Sequence, residues 1–142
     1  MSRKLEVLRA LIAAWKAGDI EGVLGHLHED VVWHYAAAVA PPARGKAKAR
    51  KFLETFRPQL GEVRWRLVDF AETGERLFVE GVEDYTQTDG AVVVAPYAGV
   101  FEFDGDLVIG WRDYVDVGVM EAQKAGGPAS AWVLALADRP AI

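Results

Sequence analysis

A lone acid on an apolar strand face is the first feature of this sequence that could do chemistry. The segment GWRDYVDVGVM (110–120) alternates in a way that predicts a β-strand. The odd positions form one face, apolar except for a single carboxylate: Trp111, Asp113, Val115, Val117 and Val119. A charged and unpaired carboxylate on such a face is energetically costly. We therefore expect Asp113 to pair with a base, to be protonated, or to line a cavity that holds water and a ligand.

The cavity is the arrangement that a general acid or base requires, because a mostly apolar concavity raises the pKa of a carboxyl group. Two structural interpretations of Asp113 compete with it. The carboxylate could be hydrogen-bonded to Trp, Tyr or backbone N–H groups, or it could be exposed on a convex face. Alternation alone leaves all three open.

A second acid could act with Asp113, since two carboxylates across a curved sheet can divide the acid and base roles. In the predicted strand 77–86 the even positions include Glu80, Val82 and Asp84, and the odd positions include Glu83. Both faces are mixed, so periodicity cannot decide which one is inward. An inward even face would bring Glu80 and Asp84 to the cavity of Asp113. For Glu80 and Glu83 a solvated strand end is the favoured interpretation.

Aromatic residues near position 33 are candidates for the wall of such a cavity. Trp33 and Tyr35 share a face of a predicted strand and offer an N–H and a hydroxyl that could orient a ligand or a water. Core packing is the commoner role for both residue types. The three histidines lack the spacing of a closed metal site, so we predict no metal.

The composition fits one globular domain over residues 1–142, with 51% hydrophobic residues. The net charge is −5 and the basic residues are scattered among acids, which disfavours nucleic-acid and membrane-surface binding. Cysteine is absent, which fits a reducing cytoplasm. No stretch approaches the roughly 18 apolar residues of a transmembrane helix. We expect a soluble cytoplasmic domain.

Helical periodicity is confined to the first part of the chain. Apolar spacing predicts an amphipathic helix over 3–17. A second, shorter helix begins at the N-cap Asp19, with a buried face of Ile20, Val23, Leu24 and Leu27. The segment 36–45 is predicted as a loop, and KAKARKFLETFRPQL (46–60) as a third helix.

Strand patterns dominate the rest. VVWHY (31–35) begins a strand, and EVRWRLVDF (62–70), 76–88, 91–103 and 110–120 follow, with an Asp89-Gly90 hairpin turn. This order predicts an α+β fold in which three N-terminal helices pack on one curved, mostly antiparallel sheet. The tail GGPASAWVLALADRPAI (126–142) is expected to start flexible and end in an apolar turn that caps a pocket, joins a dimer or packs down.

Two segments in this order, LHEDVVWHY (27–35) and GVFEFDGDLVIGWRDYVDV (99–117), resemble the limonene-1,2-epoxide hydrolase group. That group belongs to the SnoaL-like, nuclear-transport-factor-2-like superfamily, which also holds ketosteroid isomerases and polyketide cyclases. The likeness covers about 4–121 and leaves the tail 122–142 outside. It implies a cone of curved mixed sheet closed by three helices, with an apolar pocket and often a homodimer.

The resemblance also implies roles for particular residues. Asp113 corresponds to the inward Asp that deprotonates a water in the epoxide hydrolases. Their Arg-x-Asp pair is best matched by VEDY (82–85), which puts Asp84 at the acid and Val82 where the arginine belongs. Pairing Glu80 with Val82 instead still leaves the arginine missing. Without a bridging cation the two acids would repel one another, and one would tend to stay protonated.

These inferences predict a cofactor-free enzyme of the epoxide hydrolase-like or polyketide cyclase-like class. It would act by general acid/base catalysis on an apolar, cyclic small molecule. Asp113 and Asp84 would be catalytic, and the substrate-binding lining would comprise Trp33, Tyr35, Tyr97, Trp111 and Val82. The alternative is a non-catalytic ligand-binding or dimerisation module with the same fold. A deep cavity with two facing carboxylates favours the enzyme, and one filled by aromatic side chains favours the module.

Overall fold

Two helices open the chain, and their ends follow from local side-chain chemistry. The computed structural model describes residues 2–142 and places α1 at Arg3–Ala17 and α2 at Ile20–Leu24. The Ser2 hydroxyl accepts a hydrogen bond from the Leu5 N–H, and Gly18 ends α1 with a φ of 69° that favours glycine. The Asp19 side chain caps α2 as expected. Leu27 lies in a strand, so its assignment to the second helix is wrong.

The third helix packs against the first two and is shorter than predicted. It spans Lys46–Phe56 (α3) and continues as a single 3-10 turn, Arg57–Gln59, because Pro58 removes a backbone donor. The Arg57 guanidinium donates to the carbonyls of Trp15 and Lys16 at the C-terminal end of α1. This contact locks the end of α1 to the end of α3.

Seven strands form one mixed sheet in the order β2-β1-β7-β6-β5-β3, and β4 also pairs with β5. The strands are β1 Leu27–His34, β2 Ala43–Arg44, β3 Leu60–Val63, β4 Arg66–Thr73, β5 Arg76–Gln87, β6 Val92–Asp104 and β7 Leu107–Val115. The β1–β7 pair is parallel and the others are antiparallel. The prediction of an α+β fold with a mostly antiparallel sheet on three N-terminal helices is confirmed.

Three strand boundaries differ from the sequence prediction. EVRWRLVDF is two strands, β3 and β4, interrupted at 64–65. Part of the predicted loop 36–45 forms the short strand β2 against β1. The segment 110–120 ends as a strand at Val115, because the Asp116 side chain accepts from the Val119 N–H and starts a helix. Val117 and Val119 are therefore helical, and the predicted strand continuation is wrong.

Two helices follow the sheet, α4 at Val117–Lys124 and α5 at Ala131–Ala137. The predicted apolar turn of the tail is α5, which packs on β6. Downstream, the Ile142 N–H donates to the Leu67 carbonyl of β4. The end of the tail therefore packs on the sheet, whereas α4 lies beside the cavity that is described below.

The two faces of the sheet have different partners. The inner face carries the main core, in which Leu77, Val79 and Tyr85 of β5 pack with residues of α1 and α3. The outer face carries the even positions of β5 and meets the C-terminal segment through an Arg66 to Ala137 hydrogen bond. Among residues 2–142, no helix is long and apolar enough to cross a bilayer.

Candidate functional site

A cavity of about 310 Å³ lies between the helices and the inner face of the sheet. Its walls come from α1, α3, α4 and the strands β1, β5 and β7. The lining is mostly aromatic and aliphatic with a few charged groups: Trp15, Trp33, Tyr35, Ala36, Val39, Phe52, Phe56, Trp65, Glu83, Trp111, Asp113, Val115, Val117, Met120, Glu121 and Lys124. This volume and this lining are typical of pockets that bind small organic molecules.

Stacked indoles form part of the wall. The Trp33 and Trp111 rings are 4.2 Å apart and nearly parallel, because β1 and β7 pair side by side and put these two residues in register. Trp65 stacks on the other side of Trp111, and Trp15 of α1 meets both edge-on. Such close packing holds the rings in place, so this wall is preorganised for a ligand.

Asp113 faces the cavity from β7 and is only 4% exposed. The Trp111 Nε1–H donates to Asp113 Oδ1 at 3.0 Å. Its neighbour on β6 is Gly99, where a β-carbon would lie 3.2 Å from the same oxygen, so the glycine leaves room for the carboxyl group. Burial and the charge of Glu83 raise the pKa of Asp113 well above its usual range, and the Trp111 hydrogen bond opposes this only in part.

Glu83 is the second acid of the cavity and comes from the inner face of β5. Burial raises its pKa to about 7, and the positive charge of Lys124 on α4 acts in the opposite direction. Close to neutral pH Glu83 is therefore partly ionised, and its charge favours the protonated form of Asp113. Two titratable carboxyl groups face the same apolar space.

No arginine can stand two residues before Glu83 on this face. That position is Gly81, and a β-carbon there would lie 2.6 Å from the Arg66 carbonyl oxygen and 2.8 Å from the Tyr97 ring. The ring of Tyr97 thus occupies the space that a longer side chain would need. The sequence has no arginine at position 82, and the packing around Gly81 leaves no space for one at position 81 either.

Asp84 lies on the opposite face of β5, so the prediction that it shares a cavity with Asp113 is wrong. Its carboxylate accepts from Arg64 Nε at 2.9 Å and from Arg66 Nη1 at 2.8 Å. Arg64 lies in the interruption between β3 and β4, and Arg66 is the first residue of β4. The even face of β5 is the outer face, which reverses the alternative that placed Glu80 and Asp84 inward.

The predicted lining divides in the same way. Trp33, Tyr35 and Trp111 do line the cavity. Val82 is fully buried, but on the outer face of β5, opposite Arg66 and Pro96. Tyr97 faces inward but lies below the cavity wall, where its hydroxyl accepts from Trp65 Nε1 at 2.6 Å. The assignments of Val82 and Tyr97 to the cavity lining are therefore wrong.

The sequence signal for Glu83 was ambiguous. The odd positions of β5 carry this one acid among mostly apolar residues, but the even positions also include apolar residues, Phe78 and Val82, so alternation did not select a face. The contribution of α4 had no such signal, because a strand was predicted over its first residues. Trp15, Phe52 and Phe56 have the spacing of core residues and only the folded structure shows that they border a cavity.

One side chain holds α4 over the cavity. β6 extends beyond the end of β7, so its backbone at Val94 has a free edge. The Gln123 amide donates to the Val94 carbonyl at 2.8 Å and accepts from the Val94 N–H at 2.7 Å. The Gln123 side chain thus satisfies the backbone groups that a neighbouring strand would otherwise pair with. This contact holds α4 in place, and with it the lining residues Met120, Glu121 and Lys124.

Comparison with known protein families gives a match over most of the chain. A family model described as a SnoaL-like domain matches residues 8–111. A comparison with curated proteins finds no match.

Solved structures share most of the fold at low sequence identity. A LEH-like epoxide hydrolase from M. tuberculosis superposes with a TM-score of 0.76 at 22% identity, over 88% of this chain and 91% of that one. A putative SnoaL-like polyketide cyclase from Shewanella putrefaciens gives a TM-score of 0.79 at 15% identity, over 89% of this chain and 98% of that one. An NTF2-like protein of unknown function from Burkholderia pseudomallei gives 0.76 at 23% identity, over 87% and 98%.

Proposed function

Since this chain belongs to the SnoaL-like family, whose model spans most of its sheet and helices, we propose that it is a cofactor-free enzyme acting on an apolar, cyclic small molecule. The observation that carries the proposal is the pair of inward acids, Glu83 and Asp113, in one aromatic cavity. Two acids with raised pKa in a mostly apolar cavity are the components that general acid/base catalysis needs.

The proposed mechanism uses the state in which one acid is protonated and the other is ionised. The ionised carboxylate removes a proton from a water or from an activated C–H of the substrate. The protonated carboxyl group donates its proton to an oxygen of the substrate. In epoxide opening, water adds to a ring carbon as the ring C–O bond breaks, and the two proton transfers yield a neutral diol. The same two groups could move a proton along a cyclic enone.

The pKa values support this division of labour near neutral pH. Burial raises the pKa of Glu83 to about 7, so its ionised form becomes available there. The pKa of Asp113 is also raised, by burial and by the charge of Glu83, so an ionised Glu83 favours the protonated form of Asp113. We treat the two as a coupled pair, and either residue can serve as the acid.

The alternative function is a ligand-binding module that has kept the cavity without the chemistry. Its support is the density of aromatic side chains around the space, which could serve binding alone. The acids argue for the enzyme, because a site for an uncharged apolar ligand has no use for two buried carboxyl groups.

Turnover of two probes tests the proposal: 1-methylcyclohexene oxide for ring opening and cyclohex-3-enone for proton transfer. We expect Asp113→Asn and Glu83→Gln to reduce the rate by about 10²–10⁴-fold, the usual contribution of an acid or base. Glu80→Gln is the matched control, since it removes an acid from the outer face of the same strand. Binding of both probes without turnover by the wild-type protein would favour the alternative.

We also propose that the protein is a homodimer formed through the outer sheet face. Phe78 and Tyr114 are exposed large side chains of that face, and α5 does not cover them. Sedimentation at micromolar concentration should give the mass of two chains, and Phe78→Lys should give the mass of one. A single-chain mass for the wild type would contradict the dimer.

A further inference from the structure

The charges around the cavity are unbalanced, and the imbalance identifies the kind of ligand. Among the described lining residues, the acids are Glu83 on β5, Asp113 on β7 and Glu121 on α4, and Lys124 is the single basic side chain. Tyr35 is the remaining titratable group of the lining, and α1 and α3 contribute only Trp15, Phe52 and Phe56. The cavity thus has more acidic than basic groups.

The hydroxyls beneath the wall do not alter this balance. Burial raises the pKa of Tyr97 well above its usual value and that of Tyr85 to about 13, so both hydroxyls stay neutral. Neither can supply a positive charge. Lys124 on α4 is partly exposed, whereas Asp113 is almost completely buried on β7.

The proposed catalysis needs one of the two acids ionised, and this adds a negative charge to the cavity. With one acid ionised, the cavity holds a negative charge among aromatic side chains, which is costly unless cations lie close to it. The described lining offers Lys124 alone for this role. In the epoxide hydrolases that the sequence resembles, an arginine stands beside the acids. Here Gly81 and the Tyr97 ring leave no room for one. A ligand that carries its own positive charge would supply what the protein lacks.

We propose that the substrate class of this site is an amine: an apolar ring that carries an ammonium group. This inference rests on the proposed function, and it names the substrate class of the same cavity. The ammonium lies toward Glu83 and Asp113, and the ring lies against the aromatic wall. Aromatic side chains also favour cations in their own right, because the ring quadrupole attracts positive charge.

Binding of such a ligand must be linked to proton release. An ammonium group stabilises the ionised form of the acids, so binding at low pH requires a carboxyl group to lose its proton. Affinity should therefore rise with pH up to about 7, the pKa of Glu83, and level off above it. A neutral ligand of the same shape has no reason to follow this dependence.

Phenyltrimethylammonium and tert-butylbenzene form a matched pair of probes, equal in shape and different in charge. Trp15, Trp33, Trp65 and Trp111 line the cavity, so tryptophan fluorescence reports binding of either probe. We expect the ammonium probe to bind about tenfold more tightly or better at about pH 8, the factor that corresponds to one pKa unit of differential interaction with the acids. Below about pH 7 its affinity should fall by up to about tenfold per pH unit, the limit for one linked proton.

Variants assign the effect to the inner face. Glu83→Gln and Asp113→Asn should each reduce the preference for the ammonium probe at least several-fold, and Glu80→Gln on the outer face should leave it unchanged. Thermal melts establish that each variant is folded, and either inner variant suffices if the other does not fold.

Each outcome has one meaning. Equal, pH-independent affinity for both probes would overturn the amine proposal and leave an apolar cavity available for the proposed function. Binding of neither probe would remove the cavity as a ligand site, and the proposed function would fall with it. A charge preference that survives in both inner variants would also overturn the amine proposal.

Discussion

Glu83 and Asp84 are consecutive residues of β5, and the sheet gives them opposite surroundings. Glu83 faces the aromatic cavity, where burial raises its pKa to about 7. Asp84 faces outward and is held by two guanidinium groups, those of Arg64 and Arg66. A carboxylate with fixed cationic partners is a structural ion pair, whereas one without them retains its reactivity. The alternation of side chains along one strand separates the two roles.

The pH dependence of stability should distinguish the two faces most strongly. Folding raises the pKa of Glu83 and Asp113, so the folded state binds more protons than the unfolded chain between about pH 4 and about pH 7. The free energy of unfolding therefore falls as pH rises through this window. From the shift of Glu83 we expect a loss of about 2.5 kcal/mol between about pH 5 and about pH 8.

Glu83→Gln is the variant that isolates this effect, because its amide cannot ionise. Its stability should change less across the same window in urea titrations at a series of pH values. The pKa values of Glu21 and Asp106 are lowered in the folded state. Their contribution to the free energy of unfolding is therefore lost only at more acidic pH and does not affect this window. Parallel curves for the wild type and Glu83→Gln would contradict the burial that we assign to Glu83.

Asp84→Asn should have the next largest effect, on stability at all neutral pH values. The Asp84 side chain is 12% exposed, and those of Arg64 and Arg66 are 31% and 28% exposed. Neutralising the acid leaves two guanidinium groups together, at a cost between that of a surface pair and that of a buried pair, about 2 kcal/mol. Denaturant unfolding measures this loss, and probe binding in the cavity should be retained. A loss of binding with unchanged stability would reverse the assignment of the two faces.

The sequence was informative about the fold and about Asp113, and less so about its partner. Helix periodicity, the Asp89-Gly90 turn and strand alternation predicted most elements, because each depends on local patterns. The inward face of β5 depends on which side the helices cover, and Val82 and Asp84 are buried on the other side as well. With both faces partly buried, the alternation that identified Asp113 could not distinguish Glu83 from Asp84.

The end of β7 was missed for a related reason. Val115, Val117 and Val119 alternate as in a strand, and β-branched residues favour strands. The Asp116 cap and the bond from Gln123 to Val94 make the segment helical, and the second of these is a tertiary contact. Local periodicity cannot foresee a side chain that pairs with a distant strand edge.

Gln123→Ala should weaken the inner site by releasing α4. The Gln123 side chain is 3% exposed, and its two hydrogen bonds to Val94 are worth about 1–2 kcal/mol together. We expect faster amide exchange at Val94 and weaker binding of cavity probes, because α4 supplies part of the lining. Gln123→Glu is an informative second variant, since it keeps the acceptor but loses the donor to the Val94 carbonyl. Unchanged exchange at Val94 in both variants would show that other contacts hold α4.

Glu80→Gln should have the smallest effect and completes the comparison along β5. Glu80 shares the outer face with Asp84, but its partner is a single arginine, Arg139, at 2.8 Å. The two side chains are 48% and 32% exposed, so water screens their attraction. The expected change in the free energy of unfolding is within about 0.5 kcal/mol.

Three acids of one strand would then affect stability in three ways. Glu83 would make it depend on pH, Asp84 would contribute to it through its ion pairs, and Glu80 would contribute almost nothing. A loss as large as that of Asp84→Asn would mean that the Arg139 pair fastens the C-terminal segment to the sheet, and the outer face would then depend on both ion pairs rather than on the Arg64–Asp84–Arg66 group alone.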